Sequence, residues 1–152
     1  MKNRQYKKFF KYVFILVWMI IIFKFSQDPA DISNSKSGIV IDTLTSIGIN
    51  VNSYFGELTN FVVRKMGHLT EYFILALLCI NAFKENFKIK TSYILAVLTV
   101  FIYACSDEFH QLYVPGRSGK FTDVLIDSFG GVLAVLCFIL WRIYKKKNTK
   151  DY

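Results

Sequence analysis

Ser106–Gly131, SDEFHQLYVPGRSGKFTDVLIDSFGG, decides how the chain folds. It places Asp107, Glu108, His110, Gln111, Arg117, Lys120, Asp123 and Asp127 between two apolar runs, Tyr93–Cys105 and Phe129–Trp141. Runs of that character cross membranes. Asp123 and Asp127 fall within the apolar window 121–141 that contains the second run, where acids are costly in lipid and are usually kept for function. Their i, i+4 spacing puts both carboxylates on one helical face, which must turn toward protein or water. Pro115-Gly116 supplies a turn ahead of that helix. The stretch therefore reads as the end of one helix, a polar hairpin and the start of the next.

Outward from it, the apolar residues fall into four windows: 9–25, 66–83, 89–105 and 121–141. Each is about 25–32 Å long as a helix, enough to span or nearly span a bilayer core. The expectation is an all-α integral membrane four-helix bundle, one domain over 1–152. The net charge of +8 could suggest nucleic acid, but its placement argues otherwise. Lys2, Arg4, Lys7, Lys8 and Lys11 precede the first window, and Lys84, Lys88 and Lys90 separate the second and third. Arg142, Lys145, Lys146, Lys147 and Lys150 follow the fourth. With four spans all three groups share a side, so the positive-inside rule puts both termini in the cytoplasm of a multi-pass cell-membrane protein. Cys79, Cys105 and Cys137 sit in or beside apolar windows and read as free thiols.

Between the first two windows lies an external segment. Val40, Ile41, Leu44 and Ile47 recur at helical spacing, predicting a short amphipathic helix that lies on the membrane or caps the bundle. A second amphipathic stretch, 54–63, feeds the second span. Lys24-Phe25-Ser26-Gln27-Asp28-Pro29 offers no signal-peptidase site, so the first window is a retained anchor with Ser26 and Gln27 at the outer interface.

The second span opens with VVRKMGHLTEY, residues 63–72 with Val62 before them. Arg64, His68, Glu71 and Tyr72 follow i, i+4, i+7 and i+8, one stripe of a helix. Counted at 1.5 Å per residue, Glu71 and Asp127 lie at matching depths, which predicts a single pocket. In the fourth helix Gly130, Gly131 and Ala134 continue the Asp123–Asp127 face and let another helix approach. Among chemical motifs, Gly116–Lys120 lacks phosphate-loop spacing, His68-x-x-Glu71 reverses the di-iron order, and no HExxH, CxxC or GxSxG occurs. The acids with one histidine suit a divalent cation or internal ion pairs, Arg64 or Arg117 against Asp107, Asp123 or Glu71. The ion pairs are the reading adopted, with no metal and no cofactor.

VVRKMGHLTEY and SDEFHQLYVPGRSGKFTDVLIDSFGG, with FSQ after the first span, resemble the VanZ family. Its motifs run FSxQ-like, RKxxHxxEY and DExxQxxxPGRxxxxxDxxxNxxG. The matching positions are Arg64, Lys65, His68, Glu71, Tyr72, Asp107, Glu108, Gln111, Pro115, Gly116, Arg117, Asp123 and Gly130, with Asp127 at an Asn-or-Asp position. His110 falls on a variable position, and FSQ is one residue short. The resemblance implies a small bacterial membrane protein whose namesake gives low-level resistance to teicoplanin, a lipid-tailed glycopeptide. Abundant Lys, Asn, Ile and Phe would suit a low-GC Gram-positive source.

The expected function is an outward-facing polar pocket that binds a membrane lipid or lipid-linked cell-envelope headgroup, with a glycopeptide as a further candidate partner. Its binding set is Arg64, Lys65, His68, Glu71, Tyr72, Asp107, Glu108, Gln111, Arg117, Asp123 and Asp127. The rival class is an integral membrane enzyme with His68 or Glu71 as general base. The sequence sets no oligomeric state.

Overall fold

The computed structural model describes residues 2–148 and is all-α among them. Lys150, counted above among the basic flanks, lies outside the described residues. Four long helices carry the apolar windows: α1 Lys2–Ser26, α4 Thr59–Phe83, α5 Ile89–Gln111 and α6 Phe121–Asn148. Two short ones, α2 Ala30–Ser46 and α3 Asn52–Phe55, fill the connection between α1 and α4. All four long helices are long and apolar enough to cross a membrane. They overrun the windows because polar residues continue them past the apolar stretches; α5 runs through Asp107 and Glu108 to Gln111.

α4 is the central helix. It packs most extensively on α6, then on α5, α1 and α2. Its buried face, Tyr72, Leu75, Ala76, Cys79 and Ile80, joins Val100 and Ala104 of α5, Val124 and Ala134 of α6 and Ile22 of α1 in the core. Phe14 and Ile20 on α1, Ile94 and Ile102 on α5, and Phe129 and Leu136 on α6 are exposed. In water that surface would drive aggregation, whereas in a bilayer it is the face that lipid solvates.

Lys8 and Lys11 reach Asn86 and Glu85 in the α4–α5 turn, and Arg142 reaches Tyr93. Both ends of the described chain therefore lie with that turn at one end of the bundle, the basic end. At the other end lie Ser26, α2, α3, the starts of α4 and α6 and the last turn of α5. α4 and α6 consequently run parallel and adjacent, with α5 antiparallel to both. A groove of about 820 Å³ opens at the basic end between α5 and α6 and is edged by Tyr93, Trp141, Lys90 and Arg142. Aromatic and basic side chains of this kind belong to a membrane–water boundary.

The hairpin between α5 and α6 closes as its sequence requires. The Arg117 amide donates to the Val114 carbonyl at 3.1 Å, making Val114–Arg117 a turn with Pro115 second and Gly116 third. Gly116 has φ +71°, the left-handed conformation a type II turn demands at its third position. The Ala30 amide donates to the Pro115 carbonyl at 3.4 Å, so the hairpin docks on the start of α2.

The 28–60 segment departs from expectation in two ways. α2 begins earlier than its apolar pattern predicted and turns Ser33, Ser37 and Ile41 inward, while Ile39, Val40 and Ile47 stay exposed. Small serines let α2 lie close on α4, and its apolar residues face outward, where a membrane interface would cover them. The expected single stretch 54–63 is broken by Gly56, at φ +52°, into α3, one 3-10 turn Gly56–Leu58 and the first residues of α4.

Candidate functional site

The polar residues of α4, α5 and α6 meet at the end opposite the basic one. Because α4 and α6 run parallel, their contacts rise in step. Lys65 Nζ lies 2.5 Å from Asp123 Oδ2, and one turn deeper His68 Nδ1 lies 3.8 Å from Asp127 Oδ1. Next, Gly130 abuts the Leu69 carbonyl oxygen. Small residues at the third rung hold the first two at these separations.

α5 supplies the opposite wall. Asp107, Glu108 and Gln111 are all buried. Gln111 Nε2 donates to Asp107 Oδ2 at 3.3 Å and to Glu108 Oε1 at 3.2 Å. Glu108 Oε2 accepts the Lys120 amide at 2.9 Å, tying the hairpin to the last turn of α5 and satisfying a backbone donor just ahead of α6. Glu108 is thus a brace of the hairpin as well as a member of the polar cluster.

His68, Asp107 and Asp127 converge, one from each helix, with a ligating atom of each within 4.8 Å of the others. Asp107 and Asp127 are 2% and 0% exposed. Both Asp127 oxygens, Asp107 Oδ1 and His68 Nδ1 are buried without a hydrogen-bond partner. Tyr72 OH and Ser26 Oγ, also buried, face the Asp107 carboxylate and have no hydrogen-bond partner. Ser26 therefore belongs to this end's interior, while Gln27 is exposed beside it.

Two grooves flank the cluster. The first, about 190 Å³, runs between the end of α1, α2 and α4 and includes Asp28, Lys36, Arg64, His68, Glu71 and Arg117. The second, about 150 Å³, lies under the hairpin and includes Lys65, Gln111, Lys120 and Asp123. Arg64, His68 and Arg117 line both.

The ion pairs differ from those expected. Asp123 is paired by Lys65 rather than by an arginine. Arg64 reaches Asn34 Oδ1 at 3.4 Å, and Arg117 Nε donates to the Asp28 backbone carbonyl at 3.0 Å. Among the described residues neither guanidinium is in an ion pair. The physical reason is position. Both arginines stand on the groove walls, while Lys65 lies one residue along α4 from Arg64 and directly across from α6. Burial, then the neighbouring Arg64 charge, pulls Arg117 below its ordinary value, against the attraction of Asp28, Asp107 and Glu108. Glu71 faces the first groove, and its backbone carbonyl accepts the Trp18 indole at 2.9 Å, which anchors α1 on α4.

His110, the second histidine of the α5 end, stacks on Phe23 at 4.6 Å. Lys36 and Asp28 form a 2.5 Å pair at the mouth of the first groove, a contact no helical stripe foretold because it joins α2 to the segment before it.

The VanZ/LLP1 family model matches residues 10–142. The chain belongs to the VanZ/LLP1 family. The matched region of this VanZ/LLP1 protein runs through all four long helices and takes in both grooves and the His68–Asp107–Asp127 convergence. It is a multi-pass membrane protein. No match was found among the curated proteins or among the solved structures.

Proposed function

We propose that the polar end of this VanZ/LLP1 protein binds the anionic headgroup of a membrane amphiphile, a phospholipid or a lipid-linked cell-envelope molecule, from outside the cell. The carrying observation is the pair Arg64 and Arg117, which line both grooves without a carboxylate partner among the described residues. Two neighbouring guanidinium groups repel each other, and an oxyanion bridging them relieves that repulsion while accepting charge-assisted hydrogen bonds. Groove size supports a headgroup. Volumes of about 190 and 150 Å³ fall below the ~300–1,000 Å³ of drug-sized sites, so a phosphate or sugar-phosphate fits and a whole glycopeptide does not. The link to teicoplanin, drawn from family membership, would then act through the antibiotic's lipid surroundings or a small part of its polar body.

The test is binding to the full chain in nanodiscs of zwitterionic lipid, titrated with a polyprenyl phosphate, phosphatidylglycerol and teicoplanin. Saturable binding of at least one anionic amphiphile is expected, weakened about ten- to a hundredfold by Arg117→Ala, since a hydrogen bond to a charged group is worth about 1.5–3 kcal/mol. Unchanged binding in the Arg64→Ala, Arg117→Ala double variant would refute the reading.

Orientation follows from the basic end, which the positive-inside rule assigns to the cytoplasm. Cysteines replacing Glu57 and Ser118, both exposed at the polar end, should react with a membrane-impermeant maleimide in intact cells. A cysteine replacing Lys147 should react only after permeabilisation. The opposite pattern would put the grooves inside the cell.

A membrane enzyme is the second reading, favoured by the convergence of His68 with two buried acids. The nearly isosteric Glu71→Gln separates them: it abolishes turnover if Glu71 is the base, whereas a binder loses affinity only in part.

A further inference from the structure

We propose that His68, Asp107 and Asp127 are the ligands of a divalent first-row transition cation, Zn²⁺ or Mn²⁺. Two carboxylates buried side by side need compensating positive charge, and the neighbouring arginines do not supply it. Arg64 and Arg117 are turned to the grooves, and Lys65 is committed to Asp123. That leaves Asp107 and Asp127, on different helices and almost without solvent exposure, with no lysine or arginine partner among the described residues; for Asp127 the only ion-pair contact is His68 at 3.8 Å. A dication bound by both carboxylates cancels their charge where water cannot, and buried charges are kept mainly in this way or by pairing.

The atoms are placed for it. Ligating atoms of all three residues lie within 4.8 Å of one another. A tetrahedral shell with bonds of about 2.0–2.2 Å has ligand–ligand edges of about 3.4 Å, so the 3.8 Å His68–Asp127 edge is close to what a bound ion requires, and edges of up to 4.8 Å must close by about 1.4 Å as the side chains rotate onto it. Gln111 takes Asp107 Oδ2, leaving Oδ1 without a partner. Tyr72 and Ser26, 0% and 1% exposed, face Asp107 from α4 and α1, and their hydroxyls have no hydrogen-bond partner. They stand where outer hydrogen bonds orient a ligating carboxylate. One imidazole nitrogen with two carboxylate oxygens suits Zn²⁺ or Mn²⁺ better than Ca²⁺ or Mg²⁺, which prefer oxygen alone. Three protein ligands also leave a coordination position for water or a ligand oxygen. The site stands whichever amphiphile the grooves take.

The experiment strips the full chain with chelator in nanodiscs of zwitterionic lipid only, so that headgroup binding plays no part. It then titrates Zn²⁺, Mn²⁺, Ca²⁺ and Mg²⁺ by calorimetry, with metal content measured after gel filtration. One Zn²⁺ or Mn²⁺ per chain is expected, with Ca²⁺ and Mg²⁺ much weaker. Asp127→Asn and His68→Gln should each weaken binding by more than about a hundredfold, because outer-shell changes alone cost about 10–100-fold. Leu136→Ala, on the exposed face of α6, should leave binding unchanged. Co²⁺ bound in place of Zn²⁺ should lack the intense thiolate band that Cys79, Cys105 or Cys137 would give. If Asp127→Asn does not fold, His68→Gln and the wild-type stoichiometry still decide. Absence of a saturable site for both metals in the wild type, unchanged affinity in His68→Gln, a thiolate band, or tighter binding of Ca²⁺ or Mg²⁺ would each overturn the proposal.

Discussion

Asp123→Ala should markedly lower both the folded yield and the melting temperature of the protein in detergent. Asp123 and Lys65 have side chains only 16% and 15% exposed and lie 2.5 Å apart, joining the starts of α4 and α6. Removing one partner of a buried pair costs about 3–5 kcal/mol, because the other charge is left without compensation. Lys65 has a long stem and some access to the second groove, so snorkelling brings the loss toward the lower end of that range. The double variant Lys65→Met, Asp123→Leu removes both charges and fills similar volume. It should recover most of the loss, since apolar replacements of buried pairs are often neutral or better. Asp31→Ala, on an exposed residue of α2, should change stability by no more than about 0.5 kcal/mol. A wild-type melt for Asp123→Ala would mean that Lys65 is free to rotate into solvent and that the pair does not hold the helices.

The helices were legible because their apolar windows are long and their breaks are chemically plain. The turn at Pro115-Gly116 could be read for the same reason, since proline and glycine each satisfy a stated backbone requirement there. The Asp123, Asp127, Gly130, Gly131, Ala134 face was also readable, because a polar stripe within an apolar helix has one sensible direction. What the sequence concealed was which partner meets which across helices. The stripe Arg64, His68, Glu71, Tyr72 is real as helical geometry but divides in space. Tyr72 turns into the core, His68 meets α6, and Arg64 and Glu71 line the grooves.

Lys65 lies off that stripe, and its reach to Asp123 depends on the parallel register of α4 with α6, which no local pattern encodes. α2 misled for a related reason. Apolar periodicity identifies a buried face when the surroundings are water, but beside a membrane the exposed face can be the apolar one. Ser26 was marked only by FSQ; its burial follows from α1 ending level with the last turn of α5, a relation between elements far apart in sequence.

Gly130→Leu should yield no folded protein, and the two alanine variants next to it explain why. Gly130 and Gly131 are successive, yet they face different neighbours. A Cβ on Gly130 would run into the Leu69 backbone carbonyl oxygen of α4, while one on Gly131 would meet the Val100 side chain of α5 at 2.9–3.3 Å. A carbonyl inside a helix cannot rotate away, so a methyl group at 130 must push α4 and α6 apart. A valine is stiff about χ1 but can still shift by a few tenths of an ångström. In an unhindered helix glycine to alanine gains about 0.8–1 kcal/mol of propensity, and both changes would raise the melting temperature. Here overpacking, typically about 1–3 kcal/mol, opposes that gain. Gly131→Ala should therefore be near neutral and Gly130→Ala clearly destabilising. Leucine at 130 adds three more carbons to the same backbone contact. It would separate Lys65 from Asp123 and His68 from Asp127, so the most extensively packed helix pair and its polar rungs fail together. Melting curves for the three variants in one detergent check the order, and a rise in melting temperature for Gly130→Ala would show that α4 and α6 do not approach at this point.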